Sequence, residues 1–190
     1  VEVVAGPMEA AFPGGVKVTR VQSARDMHDA VMERLDSADA VVHCAAVADY
    51  RPAHAADAKI KDSRSQLTIE LVPNPNILRD CTAARASRNQ NAGASHTGKE
   101  APCNKQQVIV GFALETDHFE QHAAEKLAKS GADALLLNAP VASDSGFGHD
   151  CVRYTLVRPG MDVPEMKMGG KVDLAQEIVG FVIDKLRVSR

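Results

Sequence analysis

The chain contains few aromatic residues and no Trp. Phe and Tyr together account for 4% of its 190 residues, which leaves few platforms for stacking the bases of single-stranded nucleic acid. The net charge is −3 at pH 7, so the broad positive field that holds a phosphate backbone or an anionic membrane is absent. We therefore expect no nucleic-acid or membrane partner, and any phosphate recognition must be local.

Sequence signals for a membrane span, a leader peptide or a metal site are also missing. No apolar run approaches the roughly 20 residues of a transmembrane helix, and the start at Val1 has no basic leader region. The four cysteines form no C-x-x-C pair, which suits a reducing compartment. His118 and His122 lie four apart on a predicted helix, but no third ligand is near them in the sequence. We expect a cytoplasmic protein without a dedicated metal site.

The sequence does contain an alternation of buried strands and amphipathic helices. Short apolar or β-branched runs predict strands at 1–5, 16–21 and 40–44. Ser23 and Asp26 form a capping-box start for a helix over 24–36. With 45% hydrophobic and 25% charged residues, the chain is long enough for one domain with a real core. The alternation predicts an α/β fold.

Later segments continue this pattern with two interruptions. Strands are predicted at 67–71, 108–112, 133–137 and 152–156, the last of them an edge strand. Helices are predicted to start at Asn74-Pro75, to run from Thr116 or Asp117 to a Gly131 cap, and to cover 171–187. Residues 46–66 are predicted to be a long loop, and residues 87–106 a disordered surface insertion.

Small and polar residues follow several of the predicted strands. In parallel sheets, ligands bind at the carboxyl ends of the strands, where backbone N–H groups face a crevice. Four such ends carry Gly6-Pro7, residues 45–49, residues 111–113 and Asn138. Taken alone, Gly-Pro is more often a plain turn and Ala-Ala more often a sign of tight packing, while Asn138 is as typical of a loop backbone contact as of a ligand contact. Together they predict a ligand crevice.

Lysines near these strand ends offer local positive charge. Lys59 and Lys61 end the long loop, and they are either part of a solvated charged face or part of a flap that covers a polyphosphate. Lys126 and Lys129 lie in the helix after Phe112. The usual place for such side chains is solvent, although this helix is expected to pack beside the crevice.

Residues 39–46 resemble the fourth-strand segment of extended short-chain dehydrogenases, which lies against NAD. Those enzymes need a Tyr-x-x-x-Lys pair to move a proton. Here Tyr50 is followed four residues later by His54, and Tyr154 by Arg158. A Gly-x-Gly-x-x-Gly loop is absent as well. A nicotinamide-dependent reductase fragment therefore stands only as an alternative.

Motifs spread in order over most of the chain point to one known family. The central segment is AAVADYRP at 45–52, followed by KIK at 59–61. The other segments are VAGP at 4–7, LVPNPNIL at 71–78, GFALET at 111–116, Lys126-Leu127, Asn138 and GFG at 146–148. In this order and spacing, the chain resembles bacterial-type phosphopantothenate–cysteine ligases. Several ordered motifs are far more specific than any one of them.

The resemblance implies a doubly wound, mostly parallel Rossmann-like sheet over residues 1–190. An inserted antiparallel segment at 50–72 would serve as a flap and a homodimer interface. The implied function is a ligase of coenzyme A biosynthesis. The carboxylate of 4′-phosphopantothenate attacks the α-phosphorus of CTP, or of ATP in some relatives, and pyrophosphate leaves. The amine of cysteine then takes the acyl group to form an amide, while Mg²⁺ and lysines neutralise charge in the first step.

Residue roles follow from the same motifs. The implied phosphopantothenate contacts are Ala45, Ala46 and Asp49. The resemblance places Ala48 beside the acyl phosphate and brings Lys61 to the phosphates from the flap. The implied nucleotide contacts are Gly6, Pro75, Asn76, Ile77, Leu78, Phe112, Lys126, Lys129 and Asn138.

Three departures from the family pattern bear on these expectations. The family's first strand and its Asn-bearing, Gly-rich segment have no counterpart before Val1, so the chain is expected to begin at the second strand. Asn76 stands where Asp is usual, and Asp62 and Ser130 stand where lysines are usual. The choice between CTP and ATP, and any fusion to a decarboxylase, therefore stay open. The main alternative is a catalytically silent dimeric nucleotide-binding or regulatory module.

Overall fold

The computed structural model describes residues 1–56, 58–59, 66–94, 107–114, 119–139 and 151–188. In chain order the elements are β1 (Glu2–Ala5), β2 (Lys17–Arg20), α1 (Ala24–Leu35), β3 (Ala40–His43), β4 (Tyr50–Pro52), β5 (Leu71–Pro73), α2 (Ile77–Ala94), β6 (Val108–Leu114), α3 (Phe119–Ser130), β7 (Ala134–Ala139), β8 (Cys151–Val157), β9 (Lys167–Gly170) and α4 (Lys171–Arg187). They belong to two units, Val1–Glu33 with Ala46–Ile77, and Arg34–Ala45 with Leu78–Arg190.

In the first unit, β1 and β2 form a parallel pair that leads into α1. The register runs from Glu2 opposite Lys17 to Ala5 opposite Arg20. The backbone N–H of Ser23 donates to Asp26 Oδ2 at 3.0 Å, and the N–H of Asp26 donates to Ser23 Oγ at 3.1 Å. These hydrogen bonds to Ser23 hold the pKa of Asp26 below its usual value of 3.8. The predicted capping-box start of this helix is confirmed.

The antiparallel pair of β4 and β5 corrects the prediction for residues 46–71. Tyr50 lies opposite Pro73 and Pro52 opposite Leu71, so a strand occupies part of the predicted loop. The second strand begins at Leu71 rather than at residue 67. Residues 66–71 are all exposed. Their apolar alternation therefore does not mark a strand with a buried face, as strict alternation usually does.

The second unit contains a five-stranded sheet in the order β3-β6-β7-β8-β9. β3, β6 and β7 are parallel, and β8 is antiparallel to both β7 and β9. Four of the five strands therefore run in one direction, and the prediction of a mostly parallel α/β sheet is confirmed. The edge assignment of β8 was wrong, because β9, which the sequence pattern did not reveal, pairs with its other side.

The largest buried cluster of this unit is formed by strands together with α4, while α2 and α3 contribute Cys81, Ala123 and Leu127 to the core. Both faces of β6 and β7 are covered, as is typical of parallel strands. The main cluster consists of Val108, Val110, Ala134, Leu136, Tyr154, Leu156, Ile178 and Phe181. The predicted helix over 171–187 is confirmed as α4, which contributes Ile178 and Phe181.

The structure corrects the prediction for α2 and confirms the predicted end of α3. α2 continues to Ala94, so residues 87–94 are helical and not part of a disordered insertion. Arg88 holds this part of the helix by hydrogen bonds to Asp36 and Gln107, which lie far away in sequence. Residues 95–106 lie outside the described part of the chain. Gly131 has a φ of 66° and donates its N–H to Leu127 O at 3.2 Å, which confirms the predicted cap of α3.

Candidate functional site

The carboxyl ends of three parallel strands meet at one edge of the sheet in the second unit. The register places His43 of β3 opposite Gly111 of β6, and Leu114 of β6 opposite Asn138 of β7. Phe112 and Asn138 are half-buried near this edge, and Ala45 follows β3 two residues beyond His43. The structure therefore brings together Ala45, Phe112 and Asn138, as the strand-end argument predicted.

The start of α2 packs against the same part of β6. A Cβ atom added at Gly111 would lie 2.5 Å from Leu78 Cδ2 and 2.6 Å from Leu135 Cδ2. The missing side chain thus makes room for Leu78, one of the predicted nucleotide contacts. Glycine is needed here for a close approach and not for an unusual backbone angle.

Two further residues at this edge were not singled out from the sequence. β8 brings Arg153 opposite Ala139, next to Asn138, so an exposed cation stands at the edge. Burial lowers the pKa of His43 below its usual 6.5, which keeps the imidazole neutral at pH 7. The sequence signal for Arg153 was weak, because it occurs in a strand that alternates polar and apolar residues.

In the first unit, the predicted substrate loop is tied to the segment before α2. Asn74 Nδ2 donates to the carbonyl of Ala48 at 2.8 Å, and the Asn74 N–H donates to the carbonyl of Asp49 at 2.7 Å. Arg51 Nη1 donates to Asn74 Oδ1 at 3.2 Å and to the carbonyl of Pro73. Ala46, Ala48 and Asp49 are exposed. Two predicted binding segments, 46–49 and 75–77, are therefore connected through Asn74.

Other predicted contacts of the first unit differ in exposure. Pro75 is half-buried and Asn76 is exposed. Ile77 is 3% exposed, so its side chain serves packing. Gly6 follows β1, and a Cβ atom there would lie 3.5 Å from Met27 Cε, which is an ordinary contact. The role of Gly6 as a nucleotide contact stays a prediction.

Of the predicted lysines, the structure describes Lys126 and Lys129, both on α3. Since α3 connects two parallel strands, it runs from the carboxyl edge of the sheet to the amino edge. Lys129 is about 15 Å along this helix from Phe119, which places it toward the amino edge. It pairs with Glu125 at 3.1 Å. Lys126 is exposed on the same helix, and Lys61 lies outside the described residues.

A cleft of about 660 Å³ lies at the amino edge, away from the predicted contacts on β6 and β7. Its walls include Arg85, Lys129 and Asp133. Arg85 pairs with Asp133 and donates to the carbonyls of Gln107 and Gly131, both at 2.8 Å. The cations of this cleft have structural partners, so its size alone does not make it a ligand site.

The positions of acidic side chains bear on whether the protein alone can hold a metal ion. Among the described residues, no group of three His, Cys, Asp or Glu side chains is placed to hold a metal ion. Mg²⁺ usually keeps several waters and binds through substrate phosphates and one or two carboxylates. A Mg²⁺ ion brought by the nucleotide therefore stays a prediction. In the described part of the chain, no helix is long and apolar enough to cross a bilayer.

Sequence comparison identifies relatives over nearly the whole chain. Residues 1–97 and 94–186 match the family model of the DNA/pantothenate metabolism flavoprotein C-terminal domain. The Coenzyme A biosynthesis bifunctional protein CoaBC of Vibrio parahaemolyticus is 35% identical over 161 residues, covering 84% of this chain and 36% of that protein. CoaBC of Bacillus subtilis is 31% identical over 178 residues, covering 93% and 39%. The chain thus spans less than half the length of these curated relatives.

Solved structures share the fold. The C-terminal domain of CoaBC has a TM-score of 0.70 at 27% identity, covering 98% of this chain and 76% of that chain. A DNA/pantothenate metabolism flavoprotein from Streptococcus pneumoniae has a TM-score of 0.64 at 16% identity, covering 100% and 81%. A Cab2 variant in complex with phosphopantothenate-cysteine has a TM-score of 0.58 at 14% identity, covering 90% and 53%. At such low identity, the last two support the fold alone.

The family match, the CoaBC relatives and the shared fold agree with the motifs at 45–52, 71–78 and 111–116. The chain belongs to the family of the DNA/pantothenate metabolism flavoprotein C-terminal domain.

Proposed function

We propose that this chain is the ligase part of a coenzyme A biosynthesis enzyme and joins cysteine to 4′-phosphopantothenate. The observation that carries the proposal is the family match over residues 1–97 and 94–186, with CoaBC proteins among the relatives. The product expected of that reaction is phosphopantothenate-cysteine, the compound in the complex of the Cab2 variant, whose likeness to this chain is one of fold.

The reaction proceeds through an acyl-nucleotide. The phosphopantothenate carboxylate attacks the α-phosphorus of CTP, with ATP as the second candidate, and the bond to pyrophosphate breaks. The cysteine amine then attacks the acyl carbon, loses a proton, and displaces the nucleoside monophosphate to leave an amide. Bound Mg²⁺ supplies charge neutralisation on the phosphates. The protein mainly positions groups and donates hydrogen bonds, which suits a site formed by backbone and small side chains.

The described residues of each unit, taken by itself, include groups that suit this reaction. In the first unit, the exposed loop with Ala46, Ala48 and Asp49 presents backbone donors and one carboxylate to phosphopantothenate. In the second unit, Phe112 and Asn138 line the carboxyl edge of the sheet and frame the nucleotide. Ala45, which follows β3 in the second unit, is a phosphopantothenate contact in this proposal by family likeness. Lys61 and Lys126 meet the phosphates in this proposal, by family likeness.

Homodimer formation through the segment at 50–72 is part of the proposal. Tyr50, Leu67, Ile69 and Leu71 are each between 56% and 61% exposed in the first unit. A group of exposed large apolar side chains is typical of an interaction surface. Sedimentation of Ile69→Asp and Leu71→Asp variants as monomers would support this interface, whereas unchanged dimers would exclude it. We also propose a cytoplasmic location, because the cysteines are scattered along the sequence without a C-x-x-C pair, as is common in a reducing compartment.

A product assay by mass tests the function. The chain, and separately the full gene product that contains it, would be incubated with 4′-phosphopantothenate, cysteine, Mg²⁺ and either CTP or ATP. Phosphopantothenoylcysteine with one nucleotide establishes the ligase and its nucleotide. Lys61→Ala should reduce pyrophosphate release without changing the fold. A folded, full-length protein that forms neither product nor acyl-nucleotide would instead favour the silent nucleotide-binding module.

A further inference from the structure

Asn74 makes three hydrogen bonds at the point where two predicted binding segments approach each other in the first unit. Its Nδ2 donates to the carbonyl of Ala48 at 2.8 Å, and its backbone N–H donates to the carbonyl of Asp49 at 2.7 Å. Its Oδ1 accepts from Arg51 Nη1 at 3.2 Å. Asn74 and Arg51 are half-buried, whereas Ala48 and Asp49 are exposed. These hydrogen bonds thus join the half-buried Asn74 to an exposed loop.

The chemistry of the partners requires an amide at position 74. The guanidinium of Arg51 can only donate, and the carbonyl of Ala48 can only accept. One side chain must therefore accept on one side and donate on the other, which also fixes the orientation of the Asn74 amide. An aspartate would keep the contact with Arg51 but would place an oxygen against the carbonyl of Ala48. An alanine would lose both contacts.

These bonds determine how the loop presents its backbone. A trans peptide is planar, with the C=O and the following N–H pointing in opposite directions. Holding the carbonyls of Ala48 and Asp49 toward Asn74 therefore directs the N–H groups of Asp49 and Tyr50 to the other side. Ala46 and Ala48 are exposed and have only a methyl side chain, and Val47 is only half-buried, so apolar burial holds this loop weakly. Its conformation depends on the hydrogen bonds.

The backbone of Asn74 is restricted because this residue precedes Pro75. A residue that precedes proline is restricted to extended backbone angles. Pro73, on the other side, lies in β5 opposite Tyr50, and its carbonyl also accepts from Arg51. Asn74 is thus held from both sides while it holds the loop.

We propose that Asn74 is a positioning residue that sets the backbone conformation of the substrate loop 46–49, and that Arg51 acts through it. This inference rests on the proposed ligase function, in which that loop meets phosphopantothenate. Neither Asn74 nor Arg51 was among the residues expected to contact a ligand.

Four variants of the chain test this proposal: Asn74→Ala, Asn74→Asp, Arg51→Lys and the control Lys17→Gln. Lys17 pairs with Glu2 on the exposed surface of β2, so its substitution should change neither readout. Asn74→Asp keeps the Arg51 contact and nearly the same volume, so it serves if Asn74→Ala fails to fold. Arg51→Lys keeps the charge and should give a smaller effect of the same kind.

The first readout is amide hydrogen exchange, which does not depend on any activity. We expect exchange of the backbone N–H of residue 74, which donates to the carbonyl of Asp49, to become about tenfold faster in Asn74→Ala and Asn74→Asp, as follows from losing a hydrogen bond of typical strength that holds the loop beside it. Exchange in β6 and β7 should stay the same. Unchanged exchange of this N–H in a folded Asn74 variant would overturn the proposal.

The second readout is the steady-state kinetics of the ligase. The KM for phosphopantothenate should rise by about five- to tenfold in both Asn74 variants, because the loop loses its preset conformation. The KM for cysteine should not change, and a uniform loss of kcat alone would indicate a merely structural role. If the wild-type protein forms no product, the proposed function fails, and the exchange measurement still decides the role of Asn74 in the loop.

Discussion

A Gly→Ala substitution should have opposite effects at two positions of the second unit. At Gly111 on β6, the added Cβ would lie 2.5 Å from Leu78 Cδ2 and 2.6 Å from Leu135 Cδ2. At Gly180 on α4, it meets no atom of the described residues within 4 Å. The chemical change is the same, so the difference between the two variants isolates the effect of the close approach on β6.

The expected magnitudes follow from these distances. Carbon atoms pack comfortably at about 3.5–4.0 Å, so both leucine methyl groups must move by about 1 Å in Gly111→Ala. Overpacking of this kind costs about 1–3 kcal/mol. Since the displaced atoms are ends of side chains, and alanine is favoured over glycine within a strand by about 0.5–1 kcal/mol, we expect a net loss of about 1–2 kcal/mol. Gly180→Ala should raise stability by about 0.5–1 kcal/mol, because glycine is the poorer helix former.

Urea unfolding of both variants measures these changes as shifts of the midpoint at constant slope. Thermal midpoints should move by about 2–4 °C per kcal/mol in a chain of this size. Gly111→Ala should also raise the KM for the nucleotide, because Leu78 lies at the predicted nucleotide-binding start of α2. A Gly111→Ala protein as stable as the wild type, or a gain as large as that of Gly180→Ala, would refute the packing argument.

Three further predictions concern buried polar and titratable groups. Gln107 is 4% exposed, and its side chain donates to the carbonyls of Leu35 and Ala38 at 2.6 and 2.9 Å. Gln107→Leu should lower the free energy of unfolding in urea by about 2–4 kcal/mol. The control Gln90→Leu, at an exposed position, should change it by less than about 0.5 kcal/mol. Burial raises the pKa of Cys81 to about 11, so iodoacetamide should label exposed Cys44 and spare Cys81 in the folded protein, as mass mapping would reveal. Burial lowers the pKa of His43 below 6.5 in the folded protein. As the pH falls, the imidazole is therefore protonated in the unfolded chain before it is protonated in the folded one. The free energy of unfolding should fall as the pH drops below 6.5 toward the folded-state pKa. His43→Gln should flatten that pH dependence, and an unchanged slope would contradict it.

Most buried elements could be predicted from the sequence, because their signals are local. The apolar runs that became β6 and β7 are continuous, as buried parallel strands require, whereas the predicted burial of β3 was wrong, because this strand lies at the edge of the sheet and is at most half-buried. The spacing of apolar residues in α4 and the pairing of Ser23 with Asp26 likewise depend only on near neighbours. The order of motifs was sufficient to identify the family, although not the nucleotide.

The candidate site was predictable only in part. The strand-end rule placed Ala45, Phe112 and Asn138 at one edge, and the register agrees. Lys129 was chosen for its charge, but the direction of α3 carries it toward the amino edge of the sheet. Arg153 was overlooked, since its place beside Asn138 follows from the antiparallel pairing of β8 with β7.

The sequence by itself determined the α/β class, the buried strands, the helix at 171–187 and the family, because hydrophobic period and motif order are properties of short stretches of chain. Only the tertiary structure decided that β9 covers the edge of β8, that α2 extends to Ala94, and that Tyr50–Pro52 pairs with Leu71–Pro73. It alone decided, too, that Asn74 holds the carbonyl of Ala48. The strand pairings and the Asn74 contact join residues that are not neighbours in sequence, as do the hydrogen bonds of Arg88 that hold the extension of α2. Such contacts depend on the geometry of the whole unit rather than on local pattern.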